Sequence, residues 1–141
     1  MLESLAASAL AGAALRLHAM ELLSELPGYD WCGVYRLDGA ELVLDEFVGE
    51  PTEHTRIPVG LGVCGTAVAE NASQVVRDVR ELDNYLSCSA KTRSEIVVLI
   101  HGDEGGILGQ IDVDGHEVGA FGAADEAFLA RVAGILASRW D

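Results

Sequence analysis

Residues Ser94–His101 read SEIVVLIH and residues Ile107–Asp114 read ILGQIDVD, with Asp103-Glu104-Gly105-Gly106 between them. Both flanks are rich in β-branched and aliphatic residues and the connector has turn composition, so the stretch predicts a β-hairpin. Side chains two apart on a strand share a face, which puts Asp112 and Asp114 on the same side. Counting back from the turn, the register can bring Glu95 opposite that pair. Three crowded carboxylates repel, so at least one pKa rises and leaves a neutral acid able to donate a proton. A solvated sheet edge is the plainer reading of the two aspartates taken alone. A metal site is not expected, because no His or Cys stands at a ligand-like spacing from them.

Working outward, Trp31–Leu37 reads as a strand and Asp38-Gly39 as a hairpin turn into a second strand, Glu41–Val48. Residues 49–62 carry two prolines and three glycines, a loop composition. A short helix is expected over about Val63–Asn71, a brief strand at Val75-Val76, and a long polar loop over Asp78–Arg93. Upstream, Leu2, Leu5, Ala9, Ala13, Leu17 and Met20 recur at helical spacing and predict one amphipathic helix that stops at Pro27-Gly28. A last helix is expected over about Ala123–Arg139, with Phe128, Val132, Ile135 and Leu136 on one face. This order predicts an α+β domain over residues 1–141, with a central antiparallel sheet and helices packed on one side.

The bulk properties narrow the function. Half of the 141 residues are hydrophobic, enough for a real core without disulfides or metal. A formal charge of −14 repels phosphate backbones and anionic membranes, so neither nucleic acid nor a lipid surface is an expected partner. The Ala- and Leu-rich opening is interrupted by Glu3, Arg16, His18, Glu21 and Glu25 and lacks the basic start of a signal peptide. Three cysteines without paired spacing argue against a secreted disulfide framework and point to a cytoplasmic protein.

Each cysteine has a different context. Cys88 lies in the polar run Asn84-Tyr85-Leu86-Ser87-Cys88-Ser89, with Lys91 and Arg93 nearby to favour a thiolate; a buried small hydrophobe is the alternative. Cys64 lies at the expected start of a helix, where unsatisfied N–H groups and the dipole can lower a thiol pKa, though packing is the favoured reading of it taken alone. Cys32, beside Trp31 in an apolar strand, reads as core.

The runs Trp31-Cys32-Gly33-Val34-Tyr35, Thr55-Arg56-Ile57-Pro58-Val59-Gly60-Leu61-Gly62-Val63-Cys64-Gly65-Thr66-Ala67, Asp78-Val79, Cys88, Ser94–Val98 and Gly109–Asp114 together resemble the signature of the free methionine-(R)-sulfoxide reductases. The resemblance spans about residues 20–138. It implies a GAF-type domain with its terminal helices on one face of the sheet and a loop-covered pocket on the other. It also implies an oxidoreductase that serves in oxidative stress by reducing free methionine-(R)-sulfoxide, without a cofactor. By position, Cys88 corresponds to the catalytic cysteine, and Glu95, Asp112 and Asp114 to the carboxylates that bind and protonate the sulfoxide oxygen. Trp31 and Tyr35 correspond to aromatics around the substrate's methyl end. A homodimer formed through the terminal helices is a further implication.

The chain departs from that pattern at specific places. His54 stands where the family usually has a cysteine that pairs with the catalytic one. Ser89 replaces an acidic residue, Leu99 a proline, and Asn84-Tyr85 a Gly-His pair. Recycling of an oxidised Cys88 therefore falls either to Cys64 as the resolving thiol or to an external reductant, thioredoxin or a small thiol, acting directly. A GAF module that binds a small molecule or senses an oxidant without turnover is the alternative function.

Overall fold

The computed structural model describes residues 1–83, 85 and 90–141. Its frame is a six-stranded antiparallel sheet in the order β3-β2-β1-β6-β5-β4. The strands are β1 Trp31–Asp38, β2 Glu41–Val48, β3 Arg56–Pro58, β4 Gln74–Val76, β5 Ser94–His101 and β6 Ile107–Gly115. Helices α1 (Leu2–Ala7), α2 (Gly12–Leu23) and α4 (Ala123–Ser138) supply core residues to one face, and α3 (Gly62–Glu70) lies on the other.

The two hairpins form where the sequence puts turn residues between β-branched runs. In the first, Asp38 pairs with Glu41, so Gly39 and Ala40 make the turn, one position beyond the expected Asp38-Gly39. In the second, β5 and β6 pair from Ser94–Gly115 to His101–Ile107. Because alternate residues face opposite ways, this register fills the helix-covered face with Ile96, Val98, Ile100, Ile111 and Val113, packed with Leu15, Met20, Leu129 and Leu136. The opposite face holds a smaller cluster in which Trp31, Tyr35, Val97 and Leu99 meet Ile57, Val63 and Ala67.

Two expectations are corrected. The N-terminal segment is two helices and not one, and of the expected face Ala9 and Ala13 are exposed while Leu15, Ala19 and Leu23 are buried. The break has a cause at the far end of the chain. Gly12 takes φ +58, and its N–H donates to the Arg139 carbonyl at 2.8 Å. The Arg139 guanidinium then donates to the carbonyls of Leu5, Ala6, Ser8 and Leu10, the acceptors that a helix C-terminus leaves unsatisfied. The second correction is within residues 49–62, expected as loop throughout. Arg56–Pro58 adds an edge strand to β2, with Leu42 opposite Ile57. Within the expected polar loop, Val79–Glu81 forms one 3₁₀ turn, capped by the Asp78 carboxylate on the Arg80 N–H at 3.0 Å.

A six-residue helix has no stability of its own in water, so α1 persists through its packing and through Arg139. Replacing Arg139 with Ala should speed amide exchange across residues 2–11 and cost about 1–2 kcal/mol, the range for losing charge-assisted hydrogen bonds at a partly exposed site. Amide exchange measured by mass spectrometry should show β5 and β6 unchanged; equal protection of α1 in the variant would refute this role.

Candidate active site

The site grows from the pairing of three central strands. Asp114 lies opposite both Glu95 on β5 and Trp31 on β1, and Asp112 lies opposite Val97 and Gly33. The anticipated convergence of Glu95, Asp112 and Asp114 on one face is therefore present. All three are buried, with Glu95 2% exposed and both aspartates 0%. The solvated-edge reading of the aspartates is thereby excluded.

Helix α3 closes over this row. Its first turn brings Cys64 down onto the sheet, where the thiol donates to Glu95 Oε2 with a sulfur–oxygen distance of 3.9 Å. Gln110, two residues before Asp112 and so on the same face, donates from Nε2 to the Cys64 carbonyl at 3.3 Å. Cys64, Glu95 and Asp112, distant in sequence, present ligand-capable atoms within 4.8 Å of one another. They form one wall of a narrow pocket whose other wall includes His54, Ile57 and Leu61.

Burial determines the ionisation here. Glu95 is raised well above the usual carboxyl range, first by loss of water and then by the charges of Asp112 and Asp114. Asp112 is also raised by burial, a shift opposed by its hydrogen bonds with Glu95 and Cys64. Contacts between carboxyl groups need a proton between them, so the cluster holds at least one neutral acid at neutral pH. Glu95 Oε1 accepts no hydrogen bond from an amide, hydroxyl or cationic donor among the described residues. This is a proton donor set beside an open pocket.

The aromatics act on the surrounding loop. Trp31 is 2% exposed, stacked on Phe47 with centroids 5.7 Å apart, and its Nε1–H donates to the Glu50 carbonyl at 2.9 Å. The Tyr35 hydroxyl, equally buried, donates to the His54 carbonyl at 2.8 Å. Both tether the segment between β2 and β3 over the sheet and so set the position of His54. The indole lies flat across Gly33, where a Cβ would stand 2.4 Å from the ring, so a side chain there would displace Trp31.

Cys88, the expected nucleophile, lies outside the described residues. Cys32 points into the helix-covered core at 0% exposure, and burial pushes its thiol far above the usual range, an inert position in keeping with the core reading. The resemblance had put His54 at the position of the family's pairing cysteine, but sequence reasoning did not anticipate that Ile57 lines the pocket, nor that Gln110 fixes α3 to the sheet. Of these only Gln110 carried a signal, because it shares the alternation that marks Asp112 and Asp114.

Comparison with known proteins agrees with this architecture. The family model for the GAF domain matches residues 17–140. The free methionine-R-sulfoxide reductase of Escherichia coli is 40% identical over 112 residues, covering 79% of this chain and 66% of its own length. A type II free methionine-R-sulfoxide reductase from Thermoplasma acidophilum superposes with a TM-score of 0.87 at 36% identity, covering 99% of this chain and 95% of that one. The free methionine-R-sulfoxide reductase of Neisseria meningitidis, in complex with its substrate, gives 0.91 at 37% identity, covering 99% and 83%. With its acid-lined sheet face, its helix-covered core and these matches over nearly its whole length, the chain belongs to the GAF-domain family and, within it, to the free methionine-R-sulfoxide reductases.

Proposed function

We propose that this protein reduces free L-methionine-(R)-sulfoxide to methionine, with Cys88 as nucleophile and Glu95, assisted by Asp112 and Asp114, as the acid that binds and protonates the sulfoxide oxygen. The observation that carries the reading is the buried Glu95–Asp112–Asp114 row, of which Glu95 and Asp112 line a pocket, with Glu95 held neutral by its surroundings. A thiolate cannot expel oxide from sulfur unaided, so an acid that keeps its proton at neutral pH is the partner this reaction needs.

In this scheme the thiolate attacks the sulfoxide sulfur while Glu95 protonates the oxygen. A sulfur–sulfur bond forms as the sulfur–oxygen bond breaks; the freed hydroxide then attacks Cys88 Sγ, the sulfur–sulfur bond breaks in turn, and methionine leaves with two more electrons while Cys88 is left as a sulfenic acid. A second thiol then forms a disulfide with Cys88 and releases the oxygen as water, and an external thiol reductant regenerates the pair. Cys64 is the resolving candidate within the chain: it lies in the pocket wall, and the position of the family's other usual partner is His54. Trp31 and Tyr35 bound the substrate's methyl end in this scheme while holding the adjoining loop.

Anaerobic single turnover with each diastereomer tests the reading. Free methionine-(R)-sulfoxide should consume one equivalent of thiol from Cys88 and yield methionine, while the (S) epimer and a sulfoxide-containing peptide should react poorly. Equal rates on the peptide would overturn it, because a narrow pocket walled by buried acids suits a small free amino acid and not one flanked by chain.

The acid role has its own signature. With Glu95 as donor, kcat/KM should fall as pH rises through its raised pKa, because the carboxyl must be protonated to act, and should fall at low pH as the thiolate is lost. Glu95→Gln should remove the alkaline limb and lower the rate by about 10²–10⁴, the usual cost of losing a general acid. An unchanged profile would move proton donation to Asp112 or Asp114.

Recycling separates the two thiol routes. If Cys64 resolves, Cys64→Ser should leave the first turnover intact, slow thioredoxin-supported turnover at least tenfold and make steady-state rates depend on small-thiol concentration, since thioredoxin prefers a disulfide substrate. Mass spectrometry of wild type after one turnover should show a Cys64–Cys88 link. Its absence, with small-thiol dependence already present in wild type, would assign resolution to the external reductant.

A further inference from the structure

The wall of the pocket has a second chemistry. Cys64 Sγ, a Glu95 carboxylate oxygen and an Asp112 carboxylate oxygen all lie within 4.8 Å of one another, and the measured Cys64–Glu95 separation is 3.9 Å. Zinc bonds of about 2.3 Å to sulfur and about 2.1 Å to oxygen place tetrahedral ligands roughly 3.5 Å apart, so the Cys64–Glu95 pair closes by a few tenths of an ångström and no pair of the set by more than about 1.3 Å. Each residue is held by a rigid element, Glu95 by β5, Asp112 by β6 and Cys64 by the first turn of α3. The site faces a pocket, which leaves a fourth position open.

Independent support comes from Glu95. Its side chain is 2% exposed and lines the pocket, yet Oε1 accepts no hydrogen bond from an amide, hydroxyl or cationic donor among the described residues, and its polar neighbours are the Asp112 and Asp114 carboxyl groups. A buried carboxyl oxygen with only other carboxyl groups for partners is costly once ionised, and a cation in place of the shared proton satisfies it directly. One thiolate with two carboxylates is a mixed donor set that suits a borderline ion such as Zn²⁺. Mg²⁺ and Ca²⁺ want more oxygens and no sulfur.

We propose that the reduced protein binds one Zn²⁺ between Cys64, Glu95 and Asp112, and that this ion inhibits sulfoxide reduction by occupying the place of the substrate oxygen. The ion is an inhibitor of this pocket and no participant in the reaction. The site itself stands on the three side chains; its inhibitory consequence rests on the function proposed above. Binding also removes Cys64 from thiol exchange, so one event blocks both substrate entry and resolution.

The decisive experiment titrates the reduced, metal-free chain anaerobically with Zn²⁺ against a chromophoric chelator, in excess Mg²⁺ to occupy the acidic surface. One Zn²⁺ per chain should bind and resist Mg²⁺. Losing even an outer-shell partner of a metal typically costs 10–100-fold in affinity, so Cys64→Ser and Glu95→Gln should each weaken binding at least about tenfold. Cys88→Ser should retain the site. Co²⁺ in place of Zn²⁺ should give a thiolate charge-transfer band that Cys64→Ser abolishes, and circular dichroism of each variant checks that its fold persists. Binding no stronger than that of Mg²⁺, or a tight site that survives Cys64→Ser and disappears in Cys88→Ser, overturns the proposal. Zn²⁺ should also act competitively with methionine-(R)-sulfoxide, and full activity with the Cys64 site occupied overturns the inhibitory claim. A chain that binds Zn²⁺ through Cys64 yet never reduces the sulfoxide overturns the proposed function and leaves the cation site supported.

Discussion

The pairing register of β6 with its two neighbours is the constraint on which the rest depends. Asp114 faces Trp31 on one side and Glu95 on the other, and Asp112 faces Gly33 and Val97. A slip of one residue in β6 would turn Ile111 and Val113 to the pocket face and drive Asp112 and Asp114 into the aliphatic core. The core and the acid row are thus two readings of one alternation. Neither can change register without destroying the other, so the large hydrophobic face fixes the polar one.

That coupling also explains how the fold tolerates an unfavourable arrangement. Carboxylates stripped of water and set beside one another oppose folding, and the raised pKa of Glu95 is the response: the group stays neutral where it cannot be hydrated. The contribution has a definite sign. A carboxyl whose folded pKa lies above its unfolded value stabilises the native state fully below the unfolded pKa, and that stability is lost as pH rises through the folded one. Stability on this face is therefore given up near neutral pH in return for a protonated acid, while the aliphatic residues of the opposite face hold the sheet together. The tethers from Trp31 and Tyr35 to backbone carbonyls serve the same end, because they keep a polar loop seated over the site without adding charge to it.

What the sequence discloses follows the range of the interactions involved. The β5–β6 hairpin, its turn and the convergence of Glu95, Asp112 and Asp114 were legible because a two-residue period and a short connector carry them. The break before Gly12 was not, since its cause is Arg139, at the other end of the chain. Strand β3 was hidden by its length and by Pro58, which sits at an edge where a missing N–H is harmless. The closeness of Cys64 to Glu95 depends on how α3 packs across the sheet, and no local pattern encodes that. Spacing in sequence argued against any thiol ligand beside the acids, and the fold supplies one.

The hydrogen bond from Cys64 to Glu95 bears on how labour is divided among the three cysteines. A thiol that donates to a carboxylate is stabilised in its protonated form, and a buried acidic neighbourhood disfavours the thiolate further. Cys64 is therefore poorly suited to open the reaction, whatever the helix dipole contributes. Cys32 is sealed in the core on the opposite face, its thiol pushed far above the usual range by burial. Both environments support assigning the first attack to Cys88, whose sequence neighbours include Lys91 and Arg93. They also suit Cys64 to a later step. In the proposed reaction, once Glu95 has given its proton to the departing oxygen, its carboxylate becomes the nearby base for the Cys64 proton. Activation of the resolving thiol would then follow from the chemistry of the first step, so that a single carboxyl serves the substrate first and the second thiol afterwards.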